Sequence, residues 1–109
     1  MKLIIAIVQD EDASHLISTL MTEGFSVTKL ATTGGFLKAG NTTLLIGIED
    51  DQSEKCLGVI ERLCKSRKQI ATTPITMGGA AGMYTPYPIE VTVGGATVFM
   101  LDVERFIKM

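Results

Sequence analysis

Residues 25–48 read FSVTKLATTGGFLKAGNTTLLIGI, two strand-like runs separated by a long polar connection. Residues 25–30 and 44–48 alternate in the way that half-buried strands do. Residues 31–43 between them contain too much glycine and threonine for a helix, and they are too many for a minimal hairpin turn. This connection is either an ordinary flexible loop or a ligand-binding loop, and composition alone leaves both interpretations open.

The groups in this loop suit an aromatic, anionic ligand such as a nucleotide. Gly34 and Gly35 leave backbone N–H groups unshielded, and the neighbouring threonine hydroxyls can also donate to phosphate. Phe36 and Leu37 offer an apolar clamp for a flat base, and Asn41 can both donate and accept at an adenine edge. Neither GxxxxGK[ST] nor GxGxxG is present, so the loop matches neither a P-loop nor a dinucleotide fingerprint.

The chain as a whole reads as one soluble domain over residues 1–109. Its net charge of −2 argues against a general binder of nucleic acid polymers, which would carry a basic face. No apolar run is long enough to cross a bilayer. The first apolar run, 3–8, meets acidic residues almost at once, so it predicts a strand rather than a signal peptide. We therefore expect a cytoplasmic protein without membrane association.

No catalytic or metal-binding pattern stands out. Cys56 and Cys64 fall in one predicted helix, roughly 12 Å apart, which is too far for a disulfide. With one histidine and no CxxC, they are interpreted as core residues rather than zinc ligands. His15 falls on the polar side of the first helix, and no base or nucleophile grouping is visible. We expect a protein that is not an enzyme, with no cofactor and no metal.

The periodicity predicts strands and helices in the order β-α-β-β-α-β, with one added strand at the C-terminal end. Residues 3–8 suit a central strand covered on both faces. Residues 69–88 show no usable periodicity and predict a long flexible loop. Gly94 and Gly95 then predict a tight hairpin turn into the last strand, 96–103. The basic residues at 65–68 suit the end of the second helix, and a phosphate site is the alternative.

This order predicts an α+β, ferredoxin-like fold, an antiparallel sheet with both helices on one face. Leu45, Val98 and Met100 would then place apolar groups on the other face. An apolar open face on a small domain usually meets another subunit, so a homo-oligomer is expected. Gly47 inside a strand indicates that a ligand or a neighbouring chain approaches the backbone closely.

Several longer segments carry a family resemblance. They are MKLIIAIVQD at 1–10, KLATTGGFL at 29–37 with GNTT at 40–43, and YPIEV at 87–91 with VGGATVF at 93–99. Together they resemble the PII-like cyclic di-AMP receptor proteins of bacteria, over essentially the whole chain. The resemblance implies a homotrimer of ferredoxin-like subunits that binds cyclic di-AMP in the clefts between adjacent subunits.

The resemblance also implies which residues bind the ligand. The positions that match the family's pocket are Thr28, Gly35, Phe36, Leu37, Asn41 and Gly47, with Phe99 supplied by the neighbouring subunit. Gly34, Lys29 and Lys108 complete the predicted set, and Lys29, Lys38 and Lys108 are the alternative partners for phosphate. The family often has arginine where this chain has Ser26, and glutamine where it has Lys108. Loss of that arginine removes a cation near phosphate, so a weaker or retuned affinity is expected.

The leading hypothesis is a signalling receptor in which cyclic di-AMP changes the order of the loops for an unidentified downstream protein. The alternative on the same fold is a PII-type sensor of ATP or ADP, for which the basic residues 65–68 could meet a triphosphate. A small enzyme acting on a phosphate ester is the third hypothesis, and the chain offers it no obvious base or nucleophile.

Overall fold

The structure is a computed structural model that describes residues 1–30, 40–76 and 84–109, with side chains described for all of these except 71–76 and 84–87. The elements in chain order are β1 (Lys2–Gln9), α1 (Asp10–Thr22), β2 (Ser26–Leu30), β3 (Asn41–Ile48), a 3-10 turn (Asp50–Gln52), α2 (Ser53–Cys64), β4 (Arg67–Thr76), β5 (Tyr84–Val93) and β6 (Ala96–Asp102). β3 therefore begins at Asn41, so the last three residues of the predicted loop 31–43 belong to a strand.

Four strands form one antiparallel sheet in the order β2-β3-β1-β6. Both helices pack on one face of it, which confirms the predicted β-α-β-β-α-β arrangement of a ferredoxin-like fold. Alternation along the strands sets the core, because every second side chain faces the helices. The fully buried strand residues are Ile4, Ala6, Val8, Leu44 and Ile46.

The helices follow from local signals that the sequence shows. α1 has three acidic residues in its first turn, where negative charge is favoured, and the chain leaves it through Gly24 at a φ of +93°. Leu16 and Leu20 are fully buried on its apolar side, whereas His15 is exposed as predicted. Among the described residues, no helix is long and apolar enough to span a membrane.

Residues 69–76 and 84–88, predicted as loop, are strand. β4 and β5 pair with each other as a separate two-stranded ribbon. Proline hid the pattern, since Pro74 lies opposite Pro86 in this register and Pro88 lies opposite Thr72. Each strand of a two-stranded ribbon has a free edge, and a free edge tolerates a residue without an N–H donor.

The hairpin predicted at Gly94 and Gly95 is also wrong. β5 pairs with β4, whereas β6 pairs with β1, so the two glycines turn the chain from the ribbon into the main sheet. β6 is thus the fourth strand of the ferredoxin-like sheet rather than an added C-terminal strand. Gly94 has a φ of +80°, and a Cβ there would lie 2.4 Å from Arg67 Nη1, so only glycine fits this corner.

Candidate functional site

The sheet face opposite the helices, which we call the open face, carries the candidate site. The register aligns its side chains in rows across β2, β3, β1 and β6. The rows are Ser26, Gly47, Leu3 and Leu101; then Thr28, Leu45, Ile5 and Phe99; then Leu30, Thr43, Ile7 and Thr97. Leu3, Ile5 and Ile7 are only half-buried, so the prediction that β1 is covered on both faces is wrong for this chain by itself.

The open face carries exposed apolar side chains at its β6 edge, whereas Ser26 and Thr28 make its β2 edge polar. Leu45 lies on this face as predicted, but Val98 and Met100 lie on the helix side, opposite Ala6 and Ile4 of β1. Phe99 and Leu101 take their place and are 45% and 48% exposed. β6 has apolar residues at both its odd and its even positions, so the alternation of apolar and polar residues could not decide which side chains face away from the helices. Exposed apolar side chains in this arrangement are typical of a surface that meets another molecule.

A groove of about 480 Å³ opens on this face at one end of the sheet. Its volume falls in the usual range for sites that hold small molecules. It is lined by Met1, Leu3, Ser26, Thr28, Leu45, Gly47, Val103 and Phe106. Two of the predicted residues, Thr28 and Gly47, therefore share one groove, together with Ser26.

The chain after β6 supplies one wall of the groove. The Val103 N–H donates to the Met1 carbonyl at 3.1 Å, which holds the start of the C-terminal tail against the N-terminus. Phe106, 63% exposed, reaches the groove from this tail. Sequence reasoning missed it because the tail lacks periodicity. The signal that could have found it is an aromatic residue directly after the last strand of a small domain.

The described residues give Gly47 no steric reason to be glycine. Its φ is not positive, and among these residues a Cβ there would meet only Met1 Cε, at an ordinary 3.4 Å. Because glycine has no side chain, the backbone at Gly47 stays uncovered at the floor of the groove. This agrees with the expectation that another molecule approaches here.

The remaining predicted residues are spread over the open face and beyond it. Asn41 lies at the other end of β3, opposite Gln9, roughly 20 Å from Gly47 along the strand. Phe99 lies in the same row as Thr28 but at the opposite edge, three strands away or roughly 14 Å. A single chain therefore does not gather Thr28, Asn41 and Phe99 into one small pocket.

Lys29 and Lys108, the two predicted lysines, lie in different parts of the subunit. Lys29 is opposite the buried Leu44, so it belongs to the helix side of β2 and faces away from the side chain of Thr28. Lys108 is exposed in the C-terminal tail. Gly34, Gly35, Phe36 and Leu37 lie outside the described residues.

Among the described residues, no lysine or arginine side chain lines the groove. Nearby positive charges have acidic partners: Lys2 is paired with Asp102, and the Met1 amine lies 2.8 Å from an Asp50 carboxylate oxygen. The hydrogen bond with Asp50 raises the pKa of the amine and, in turn, lowers the pKa of the carboxyl. Within the described part of the chain, no groove-lining lysine or arginine takes the place of the arginine that the family resemblance implies at Ser26, and Lys38 lies outside the described residues.

The basic residues at 65–68 are used structurally. Arg67 Nη2 lies 2.9 Å from Asp12 Oδ1, and Lys68 Nζ lies 3.1 Å from Glu90 Oε1. Two of the three cations thus have carboxylate partners, and both start a strand rather than end α2. This placement favours neither the helix-end interpretation nor a phosphate site for Arg67 and Lys68.

The thiols have the character of core groups. Cys56 and Cys64 are free and fully buried, and burial raises the pKa of each to about 11. At neutral pH both are therefore protonated, which confirms the interpretation as core residues rather than reactive thiols. Over the described ranges, no three His, Cys, Asp or Glu side chains come together as metal ligands would.

Comparison with known proteins gives the same family that the sequence segments indicated. A family model described as cyclic-di-AMP receptor matches residues 1–109. The crystal structure of a functionally unknown protein from Pediococcus pentosaceus ATCC 25745 is 42% identical, with a TM-score of 0.80 over 99% of this chain and 96% of that one. The chain therefore belongs to the cyclic-di-AMP receptor family, which is PII-like.

Proposed function

We propose that this receptor binds cyclic di-AMP between adjacent subunits of a homotrimer, along the open face. The observation that carries the proposal is the row that holds Thr28 at one edge of the sheet and Phe99 at the other. Residues of one site that lie at opposite edges of a subunit come together when the edge of one subunit packs against the next. Thr28 and Phe99 would then meet across the interface.

The exposed apolar groups support subunit packing on this face. Phe99, Leu101 and Phe106 are each between 45% and 63% exposed in the single chain. Phe99 and Leu101 lie at the β6 edge of the open face, and Phe106 lines the groove on the same face. Burial of a fully exposed side chain of this size is worth roughly 1.5–3 kcal/mol, so burial of the half that is still exposed would stabilise an assembly by roughly 1 kcal/mol for each. A trimer gives each open face two neighbours, one at each edge.

The spacing along β3 supports a ligand with two bases. Gly47 and Thr28 at the groove and Asn41 at the loop end are too far apart for a single adenine. We assign one adenine to the groove, over the Gly47 backbone. We assign the second adenine to Asn41, where Phe36, a predicted ligand-binding residue, would stack on it. ATP or ADP has a single base and would fill one end only.

Fewer observations support the contacts to the phosphates than the contacts to the bases. Ser26 can offer a hydroxyl, and Lys108 lies in the same tail as Phe106, so we assign the phosphate contact to Lys108 in preference to Lys29. Affinity then depends mainly on base contacts. We further propose that occupancy changes the loops next to the site, and that an unidentified protein in the cytoplasm reads this change.

Calorimetry with cyclic di-AMP tests the proposal directly, on protein whose trimeric state is established by sedimentation. We expect one binding event per subunit. Asn41→Ala removes a hydrogen-bonding base contact and should weaken binding by roughly 1–3 kcal/mol, or about 5- to 150-fold in Kd. Lys29→Ala is the matched control, since Lys29 faces the helix side and should leave Kd unchanged.

The same titration with ATP as competitor separates the two ligands. If ATP displaces cyclic di-AMP at equal concentration, the alternative of an ATP or ADP sensor replaces the proposal. Absence of heat with a folded trimer at tens of micromolar protein would reject cyclic di-AMP as the ligand.

A further inference from the structure

The last residue of β1 and the first turn of α1, residues 9–12, contact two parts of the molecule that are remote from each other in sequence. On one side they hold the end of the ligand loop. The Asp10 N–H donates to the Gly40 carbonyl at 2.7 Å, and the Thr42 hydroxyl donates to the Asp10 carboxylate. Asn41, between these two residues, pairs with Gln9 in the sheet. We call residues 9–12 the junction.

On its other side the junction holds the base of the β4–β5 ribbon. Gln9 Oε1 accepts from the Gly94 N–H at 2.8 Å, at the corner where β5 ends. Asp12, only 8% exposed, accepts two hydrogen bonds from Arg67 at 2.9 and 3.4 Å, where β4 begins. β4 is thus bonded to the junction at its first residue, and β5 through the residue directly after its end.

The ribbon base has little freedom to move without the junction. A Cβ at Gly94 would lie 2.4 Å from Arg67 Nη1 and 2.7 Å from the Lys65 carbonyl, so the corner is packed against the Arg67 side chain. Arg67 also donates to that carbonyl at 3.3 Å. A change in the position of Gln9 or Asp12 must therefore shift the corner or break its hydrogen bonds.

We infer that the junction couples occupancy at Asn41 to the orientation of the β4–β5 ribbon. The inference rests on the proposed function for the identity of the ligand, but the mechanical link is a property of the chain alone. Gln9 is the central member, because its backbone pairs with the ligand-contacting residue and its side chain holds the ribbon corner. Coupling between two sites is reciprocal, so loosening the ribbon base must also act on the Asn41 end.

Hydrogen exchange without ligand tests the link first. Arg67→Ala should speed exchange in the ribbon and, by coupling, at residues 40–43 on the far side of the junction. Lys68→Ala is the matched control: it removes the neighbouring ion pair with Glu90, whose side chains are exposed, and should act on the ribbon only. Exchange at 26–30 reports any general loss of stability and should stay unchanged in both variants.

Gln9→Met gives a second variant that keeps the side-chain length but removes the acceptor for Gly94. It should speed exchange at the ribbon base, with the sheet intact. If Arg67→Ala and Gln9→Met speed exchange in the ribbon but leave it unchanged at residues 40–43, as is expected of Lys68→Ala, the inference is overturned.

The ligand arm uses saturating cyclic di-AMP. In the unsubstituted protein, ligand should slow exchange at 40–48 and also change exchange in 67–76 and 84–93. Gln9→Met should keep the first response and lose the second. A ribbon response equal to that of the unsubstituted protein would overturn the inference. Absence of any response in the unsubstituted protein counts against the proposed ligand, and the ligand-free arm then decides the coupling by itself.

Discussion

Whether each site is shared between subunits can be tested by mixing two defective chains. One chain carries Asn41→Ala and the other carries Phe99→Ala. Within one subunit these residues are two strands and four register positions apart, which corresponds to roughly 17 Å between their Cα atoms. In the proposed trimer, Asn41 of one subunit and Phe99 of the next belong to the same site.

The expected magnitude follows from counting. Each substitution alone should weaken binding by roughly 1–3 kcal/mol, through loss of a hydrogen bond or of an aromatic contact. In a randomly assembled equal mixture, a shared site is intact only where the chain giving Asn41 carries Phe99→Ala and its neighbour carries Asn41→Ala. Each condition holds half of the time, so about a quarter of the sites should regain full affinity.

Calorimetry after joint unfolding and refolding measures this fraction. We expect a tight class of about a quarter of a ligand per chain, and none when the two pre-formed variants are mixed without refolding. Native mass spectrometry would verify that mixed trimers have formed. If mixed trimers are present and no tight class appears, Asn41 and Phe99 act in the same subunit or not at all, and the shared site is wrong.

Two further predictions concern individual groups. Gly47→Ala should leave the melting temperature nearly unchanged, because among the described residues its Cβ meets only Met1 Cε, at 3.4 Å. It should nevertheless weaken cyclic di-AMP binding at least about fivefold by calorimetry, since the methyl group occupies the groove floor. Unchanged affinity would place the ligand elsewhere. Cys56 and Cys64, with pKa values raised to about 11 from 9.0, should resist a thiol reagent at pH 8 until the protein unfolds. Because they ionise earlier in the unfolded chain, their contribution to stability is complete below about pH 9 and is lost towards pH 11, which denaturant titrations can follow; a double alanine variant should lack this loss.

The core of the fold could be predicted because its signals are local. The apolar run of β1, the stripe of α1 and the alternation of β3 each need only neighbouring residues, and each is found where the sequence predicts it. The phase of β6 could not be predicted in this way. Its residues are apolar on both faces, and a shift of one residue exchanges Val98 for Phe99 on the open face.

The ribbon escaped prediction because its determinants are distant in sequence. Prolines at 74 and 86 look like loop residues until it is known that they lie opposite each other in a two-stranded ribbon. Each strand of such a ribbon has a free edge, where proline is tolerated. Gly94 and Gly95 have the composition of a hairpin turn, yet the turn is directed by Gln9, 85 positions away, and by the Asp12–Arg67 pair, 55 positions apart. Sequence reading could identify a turn there, but not the strands that it joins.

The two ends of the open face have different roles in the proposed mechanism. The groove end is held by contacts that do not involve the ribbon, the Met1 amine with Asp50 and the Val103 N–H with the Met1 carbonyl. The Asn41 end is instead bonded through the junction to the ribbon. A base held at the groove would thus contribute affinity without acting on the ribbon, whereas a base at Asn41 would act on residues that also hold the ribbon. A ligand with two linked bases is what allows one end to supply binding energy and the other to transmit it.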